Sequence, residues 1–144
     1  MVKKIIIVSF ALITFFQIPI VAIAEGPAQN GTTQVIAYYF HGSFRCPTCH
    51  NLEQYAKEAI RDDFKDEIDK GALVFKAMNV EEKGNEHFVN NYQLYSKSLV
   101  LSLTKNGEEI KHKNLTKIWE YVRNKEKYIN YVKNEISTFL EEAQ

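Results

Sequence analysis

The chain has 144 residues, in which 18 Lys and Arg balance 18 Asp and Glu. This length suggests a single folded domain. The balanced charge excludes the generally basic surface that nucleic-acid-binding proteins use, so we expect no nucleic-acid partner.

The first 24 residues have the pattern of a secretory signal peptide. Two lysines precede an apolar run at 5–16, and Ala22 and Ala24 are small residues at the positions that a signal peptidase reads. The run is shorter than the ~20 apolar residues of a transmembrane helix, so no stable membrane span is expected after cleavage. We therefore predict a signal peptide at 1–24 and a periplasmic or secreted protein. An uncleaved N-terminal anchor is the alternative.

Residues 25–34 are rich in glycine, proline and asparagine and predict a flexible leader before a domain at 35–144. The domain begins with residues 35–41, which are apolar at nearly every position. This pattern is typical of a central strand that is covered on both faces.

A helix follows the loop at 42–45. From Cys49 to Phe64 apolar residues recur at helical spacing, with Glu53 on the opposite, polar side. Pro47 falls in the first turn, where its missing N–H costs nothing.

The middle of the chain predicts a strand, a short helix and a hairpin. The strand covers 73–80 and the helix 86–95, with Tyr95 directed toward the core. A third strand at 99–103 is joined to a fourth at 108–112 by Asn-Gly, which is a strong hairpin turn.

Two asparagines predict the last helices. Asn114 can cap a helix that carries Trp119, a residue we assign to the core, and Asn124 can cap a final amphipathic helix. The predicted order β-α-β-α-β-β-α is an α/β fold, with a four-stranded mixed sheet and helices on both faces.

The chain's only two cysteines, Cys46 and Cys49, lie between the first strand and the first helix. A helix N-terminus stabilises a thiolate and lowers its pKa. In an oxidising compartment two thiols this close tend to form a disulfide. A bridge across so short a loop adds little stability, so we predict a redox-active pair and not a structural one.

The two cysteines have different predicted roles. Cys46, at the exposed edge of the helix, is the predicted nucleophile, and Cys49, one turn further, is the more buried resolving thiol. Arg45 adds positive charge that favours the Cys46 thiolate, while Pro47 and Thr48 separate the two cysteines.

His41 ends the first strand and has an unperturbed pKa suited to moving a proton to Cys49. A simple hydrogen bond to the backbone is the equal alternative for this histidine. Among the nearby aromatic residues, Phe44 is assigned to a partner-binding surface.

The aromatic strand, the Cys-Pro-Thr-Cys box and the start of the following helix resemble the thioredoxin superfamily. A narrower resemblance is to the exported thioredoxin-like family named for the ArsF subunit of nitrophenyl compound nitroreductases. It is carried by residues 39–42, 45–49, 79–80, 92–95 and 114–115, together with Trp119. This resemblance implies a small exported redox or accessory protein, with a protein thiol or disulfide as its partner and reductase subunits as further partners.

The chain departs from thioredoxins in two places. Thioredoxins have a cis-proline before the third strand, beside the dithiol, where the backbone pairs with bound substrate, and the corresponding segment of this chain, 95–98, contains no proline. We assign Ser98 to the partner surface. Thioredoxins also bury an acidic residue under the second cysteine, where the first strand of this chain offers only Phe40 and His41.

His50 follows Cys49 and creates two alternatives to dithiol chemistry. The segment matches the CxxCH motif for haem attachment, although Met78 lies within a strand and is poorly placed to reach an iron. The two cysteines with His41 and His50 also offer ligands for a metal or an iron–sulfur cluster. We predict no metal and no cofactor, and a non-enzymatic accessory subunit that binds a metal or cluster is the alternative.

Overall fold

The structure is a computed structural model that describes residues 32–144. The predicted signal peptide and residues 25–31 of the predicted leader lie outside the described residues. The elements are β1 (Thr33–His41), α1 (Pro47–Asp63), α2 (Lys65–Asp69), β2 (Leu73–Asn79), α3 (His87–Asn91), β3 (Ser98–Lys105), β4 (Glu108–Asn114), α4 (Ile118–Tyr121) and α5 (Lys125–Glu142).

The four strands form one mixed sheet in the order β2-β1-β3-β4. β1 pairs in parallel with β2 and antiparallel with β3, and β3 pairs antiparallel with β4. Asn106 and Gly107 make the β3–β4 turn with φ values of 56° and 83°, as the Asn-Gly pair predicts.

Helices cover both faces of the sheet because the side chains of β1 alternate between them. Val35, Ala37 and Tyr39 pack in the core cluster beneath α1 and α5. Tyr38 and Phe40 point to the other face, where they join the smaller cluster formed with the α3 region. The predicted α/β class, the four-stranded mixed sheet and the helices on both faces are confirmed.

Hydrogen bonds from buried tyrosines attach this scaffold to α1. The Tyr128 hydroxyl of α5 donates to the carbonyl oxygen of Leu52 at 2.7 Å. Burial raises the Tyr128 pKa far above its ordinary value, so its hydroxyl remains a donor.

Several predicted element boundaries and one predicted core residue are wrong. β1 begins at Thr33, two residues before the predicted strand and within the predicted leader. Asn114 is the last residue of β4 and caps no helix, because Lys113 and Asn114 continue the strand by pairing with Leu101 and Val100 of β3. Tyr95 is 93% exposed, since Gln93 takes a φ of 50° and α3 already ends at Asn91.

Within residues 32–144, no helix combines the length and apolar character required to cross a membrane.

Candidate redox site

Cys46 and Cys49 lie at the N-terminus of α1 and are joined by a disulfide, with their Cα atoms 5.1 Å apart. Cys46 is the N-cap residue in an extended conformation, and Pro47 is the first residue of the helix. The Cys46 Sγ accepts a hydrogen bond from the Cys49 N–H at 3.3 Å. One otherwise unpaired N–H of the first helical turn therefore points at this sulfur.

The two sulfur-bearing side chains differ in exposure in the predicted sense. Cys46 is partly exposed, whereas Cys49 is 2% exposed. An incoming thiol or disulfide can therefore reach Cys46 first. This geometry agrees with the predicted nucleophile and resolving roles, which remain predictions about chemistry.

A hydrogen-bonded loop holds the segment that leads into Cys46. The Ser43 N–H donates to Glu81 Oε2 at 3.0 Å, and Asn79 Nδ2 donates to Ser43 Oγ at 3.2 Å. A β-carbon at Gly42 would meet the Glu81 carboxylate, so a larger residue there would displace the Glu81 side chain from the loop. These bonds attach the loop at 42–45 to the end of β2 and hold the backbone that leads into Cys46.

Tyr39 supports the cysteines from the sheet. Its hydroxyl donates to the Cys49 carbonyl oxygen at 2.7 Å, and its ring is fully buried beneath α1. Burial raises the Tyr39 pKa to about 12, although the nearby Arg45 opposes the shift. The hydroxyl therefore stays protonated and keeps the first turn of α1 in register with β1.

A buried carboxylate, Glu53, lies one helical turn after Cys49, although the helical pattern predicts it on the polar, solvent-facing side of α1. Glu53 is 8% exposed and forms ion pairs with Arg45 and, at 2.5 Å, with Lys57. Burial by itself would raise the Glu53 pKa, but hydrogen bonds from Lys57 and Arg45 outweigh it and hold the pKa below its ordinary value. Glu53 is therefore a carboxylate at neutral pH. The (i, i+4) spacing to Lys57 was the available signal for this pairing.

The Arg45 guanidinium is consequently not a free positive charge beside Cys46. It contacts the Glu53 carboxylate and lies 6.0 Å from the centroid of the Tyr39 ring. The predicted direct action of Arg45 on the Cys46 thiolate stays a prediction, now with Glu53 as a competing partner for the charge.

Cys46 opens into a groove of about 800 Å³ between α1 and α4. We call it the α1–α4 groove. Thr48 and Tyr55 line one side of it, and Trp119 and Arg123 line the other. The predicted core position of Trp119 is wrong, since its side chain is 40% exposed and its Nε1–H donates to the Lys97 carbonyl oxygen at 2.8 Å.

A second, smaller cavity of about 180 Å³ lies at the ends of β1 and β2. His41, Glu81, Tyr95 and Lys97 belong to its lining. The His41 Nδ1–H donates to the Gly42 carbonyl oxygen at 2.9 Å, which is the backbone bond that the alternative prediction describes. Proton transfer from His41 to Cys49 stays a prediction.

The structure separates the two residues assigned to the partner surface. Phe44 is 78% exposed, two residues before Cys46, and can contact another protein. Ser98 is buried, and its hydroxyl donates to the Ser96 carbonyl oxygen at 3.0 Å. Contact between Ser98 and a partner stays a prediction. Tyr95 and Trp119, both predicted to lie in the core, are exposed aromatic residues and further candidates for partner contact.

The predicted metal alternative needs ligands beyond the two cysteines. Within residues 32–144 no three Cys, His, Asp or Glu side chains are grouped as metal ligands. His50 is exposed on α1. Cys46 and Cys49 are instead paired with each other as a disulfide, an arrangement that suits thiol–disulfide exchange.

No protein-family model matches the chain, and no curated protein sequence matches it. Among solved structures, it is similar to thioredoxin from Fasciola hepatica, with 19% identity over 62% of this chain and 79% of the other, at a TM-score of 0.38. It is also similar to oxidised thioredoxin O2 from Arabidopsis thaliana, with 14% identity over 65% and 74% of the two chains and a TM-score of 0.39. A thioredoxin from Thermus thermophilus matches with 15% identity, 62% and 72% coverage, and a TM-score of 0.36. The strand order and pairing, and not these low scores, define the fold as thioredoxin-like.

Proposed function

We propose that this protein exchanges electrons with a protein partner through the Cys46–Cys49 dithiol. The observation that carries the proposal is the position of the Cys46 sulfur at the N-cap of α1. There the sulfur accepts a hydrogen bond from the Cys49 N–H, and Cys46 lines the α1–α4 groove. A thiolate in this position is stabilised by the partial positive charge of the helix N-terminus.

The exchange proceeds through a mixed disulfide. In the reducing direction, the Cys46 thiolate attacks one sulfur of the partner disulfide and the other partner sulfur leaves as a thiolate. The Cys49 thiolate then attacks Cys46, which closes the Cys46–Cys49 disulfide and releases the partner's first sulfur. The oxidising direction runs the same steps backward, so two electrons move in either case.

The partner docks through exposed aromatic side chains around the dithiol. Phe44 precedes Cys46, and Trp119 lines the groove into which Cys46 opens. Aromatic residues of this kind supply large contact areas at low conformational cost, as protein interfaces commonly require.

We also propose that the protein works in the periplasm or outside the cell, after removal of residues 1–24. Support for export comes from the signal-peptide pattern and from a disulfide chemistry that persists in oxidising compartments. The sequence resemblance further supports a role as the accessory subunit of a nitroaromatic reductase system.

The decisive experiment uses cysteine variants of the exported protein. Cys49→Ser should accumulate a mixed disulfide with the partner, whereas Cys46→Ser should form none. Identification of the trapped protein tests the reductase-subunit proposal: a nitroaromatic reductase component supports it, and an unrelated dithiol protein contradicts it.

Metal analysis of the same preparations separates redox exchange from metal binding. Two thiols that oxidise reversibly without stoichiometric metal support the proposed exchange. Zinc, copper or iron held in stoichiometric amount by Cys46 and Cys49 would instead establish the metal-binding accessory subunit.

A further inference from the structure

The Arg45–Glu53 ion pair spans the turn of α1 that carries Cys49. Glu53 lies four residues after Cys49 on α1, and side chains four apart on a helix share one face, whereas Arg45 lies in the loop two residues before α1 begins. Arg45 reaches Glu53 from just ahead of the helix, so its side chain lies along the first turns beside Cys49. Tyr39 agrees with this placement, because its hydroxyl donates to the Cys49 carbonyl oxygen while the Arg45 guanidinium lies over its ring, 6.0 Å from the centroid.

The Arg45 side chain has a buried donor that is unused when Cys46 and Cys49 form the disulfide. Its Nη2 bonds to Glu53, but Nε is buried and has no hydrogen-bond partner among the described residues. An unpaired buried donor is unfavourable and rare in folded proteins. A disulfide sulfur is a weak acceptor, whereas a thiolate carries a full negative charge and accepts strongly.

We propose that Arg45, held in place by Glu53, donates its Nε–H to the thiolate that forms on Cys49 when the disulfide opens. This inference rests on the proposed exchange function and adds to it a residue that acts on the buried cysteine. It differs from the sequence-based expectation, in which Arg45 acts on Cys46.

The role follows from the bonds that form and break. When a thiolate of the partner's dithiol attacks Cys46 Sγ, the Cys46–Cys49 bond breaks and its electron pair leaves on Cys49 Sγ. The partner's second thiolate then closes the partner disulfide and releases the Cys46 thiolate. The protons lost by the partner's dithiol pass to solvent or to the released cysteines. Arg45 stabilises the negative charge on the leaving Cys49 sulfur, and in the reverse direction it keeps Cys49 ionised as the attacking nucleophile.

An electrostatic role of this kind also fixes the direction in which Arg45 biases electron flow. Because Arg45 stabilises the reduced form and gains nothing from the disulfide, it makes the Cys46–Cys49 pair more oxidising.

The test measures the redox equilibrium of the chain against glutathione buffers for the parent, Arg45→Gln, Arg45→Lys and Lys57→Gln. Arg45→Gln should favour the disulfide about tenfold, the worth of one charge-assisted hydrogen bond. Arg45→Lys keeps the positive charge but lacks the Nε–H, so it should shift the equilibrium in the same direction by a smaller factor. Lys57→Gln is the matched control, since it removes an equal charge from the same carboxylate on its exposed side.

A second readout isolates the buried sulfur. In the Cys46→Ser background Cys49 is the sole thiol, and its thiolate can be titrated by ultraviolet absorbance. At pH values below the Cys49 pKa, adding Arg45→Gln should lower the thiolate fraction of Cys49 about tenfold, whereas adding Lys57→Gln should leave that fraction unchanged.

Each outcome decides the inference. Thermal unfolding of the oxidised proteins checks the fold, and if Arg45→Gln does not fold, Arg45→Lys alone decides. Parent-like equilibria in the folded Arg45 variants, or an equal shift in Lys57→Gln, would overturn the role of Arg45. A parent chain that fails to exchange with glutathione would refute the proposed function itself, so the two failures are distinguishable.

Discussion

Replacing Glu53 with Gln tests whether the buried carboxylate beside the dithiol stabilises the fold. Glu53 accepts hydrogen bonds from two cations, but the Lys57 side chain is half exposed and the Arg45 side chain mostly enclosed. A hydrogen bond to a charged group contributes ~1.5–3 kcal/mol and an exposed ion pair ~0–1 kcal/mol. Because Gln keeps the shape and one acceptor, we expect a loss of about 1–2 kcal/mol in the free energy of unfolding at neutral pH.

The direction of the Glu53 pKa shift determines how the stability difference depends on pH. The Glu53 pKa is lowered in the folded protein, so its contribution is present above the carboxyl's ordinary pKa and is lost as the pH falls through the folded value. The stability difference between the parent and Glu53→Gln should therefore be largest at neutral pH and vanish in strong acid.

Urea unfolding of the oxidised proteins, followed by circular dichroism across this pH range, measures both effects. Glu58→Gln is the control, because Glu58 also lies on α1 and pairs with a half-exposed lysine, Lys125, while its own side chain is more exposed than that of Glu53. Equal losses in the two variants, or a Glu53→Gln difference that persists unchanged in strong acid, would refute the reasoning.

Three further substitutions probe the scaffold and the partner surface. Tyr128→Phe removes the bond to the Leu52 carbonyl and should cost about 1 kcal/mol in unfolding free energy, whereas the exposed Tyr95→Phe should cost nothing measurable. Asn124→Ala removes the side-chain cap of α5 and should cost ~1 kcal/mol in the same unfolding assay; an unchanged midpoint would contradict the capping role. Phe44→Ser should slow mixed-disulfide formation with the protein partner about fivefold or more, but leave the reaction with a small aromatic disulfide unchanged. Equal slowing with both reagents would show that Phe44 affects the sulfur and not docking.

The order of strands and major helices was predictable because its signals are local. Alternating or continuous apolar runs and the Asn-Gly turn identify β1 to β4 without knowledge of the tertiary structure. α2 (Lys65–Asp69) was missed because it buries no residue and so leaves no apolar period. The β4 boundary was missed because Lys113 and Asn114 extend the strand only through their pairing with β3, which the Asn114 side chain does not reveal.

The site was predictable as far as the two cysteines and their helix. The spacing of Cys46 and Cys49 after a buried strand predicts a sulfur at a helix N-terminus, and the structure has this arrangement. The buried Glu53 was not predictable from its helical position, because a carboxylate on the polar side of the pattern reads as solvated. Its burial depends on Arg45, which reaches it from the loop outside the helix, and such a contact is tertiary.

The central claim is that peptide dipoles at the start of α1 hold Cys46 as a thiolate. Titration of Cys46 in the Cys49→Ser variant, by its rate of alkylation as a function of pH, tests this claim most directly. We predict a Cys46 pKa clearly below the value of about 8.5 for a free thiol. A value at or above that of a free thiol would contradict the account.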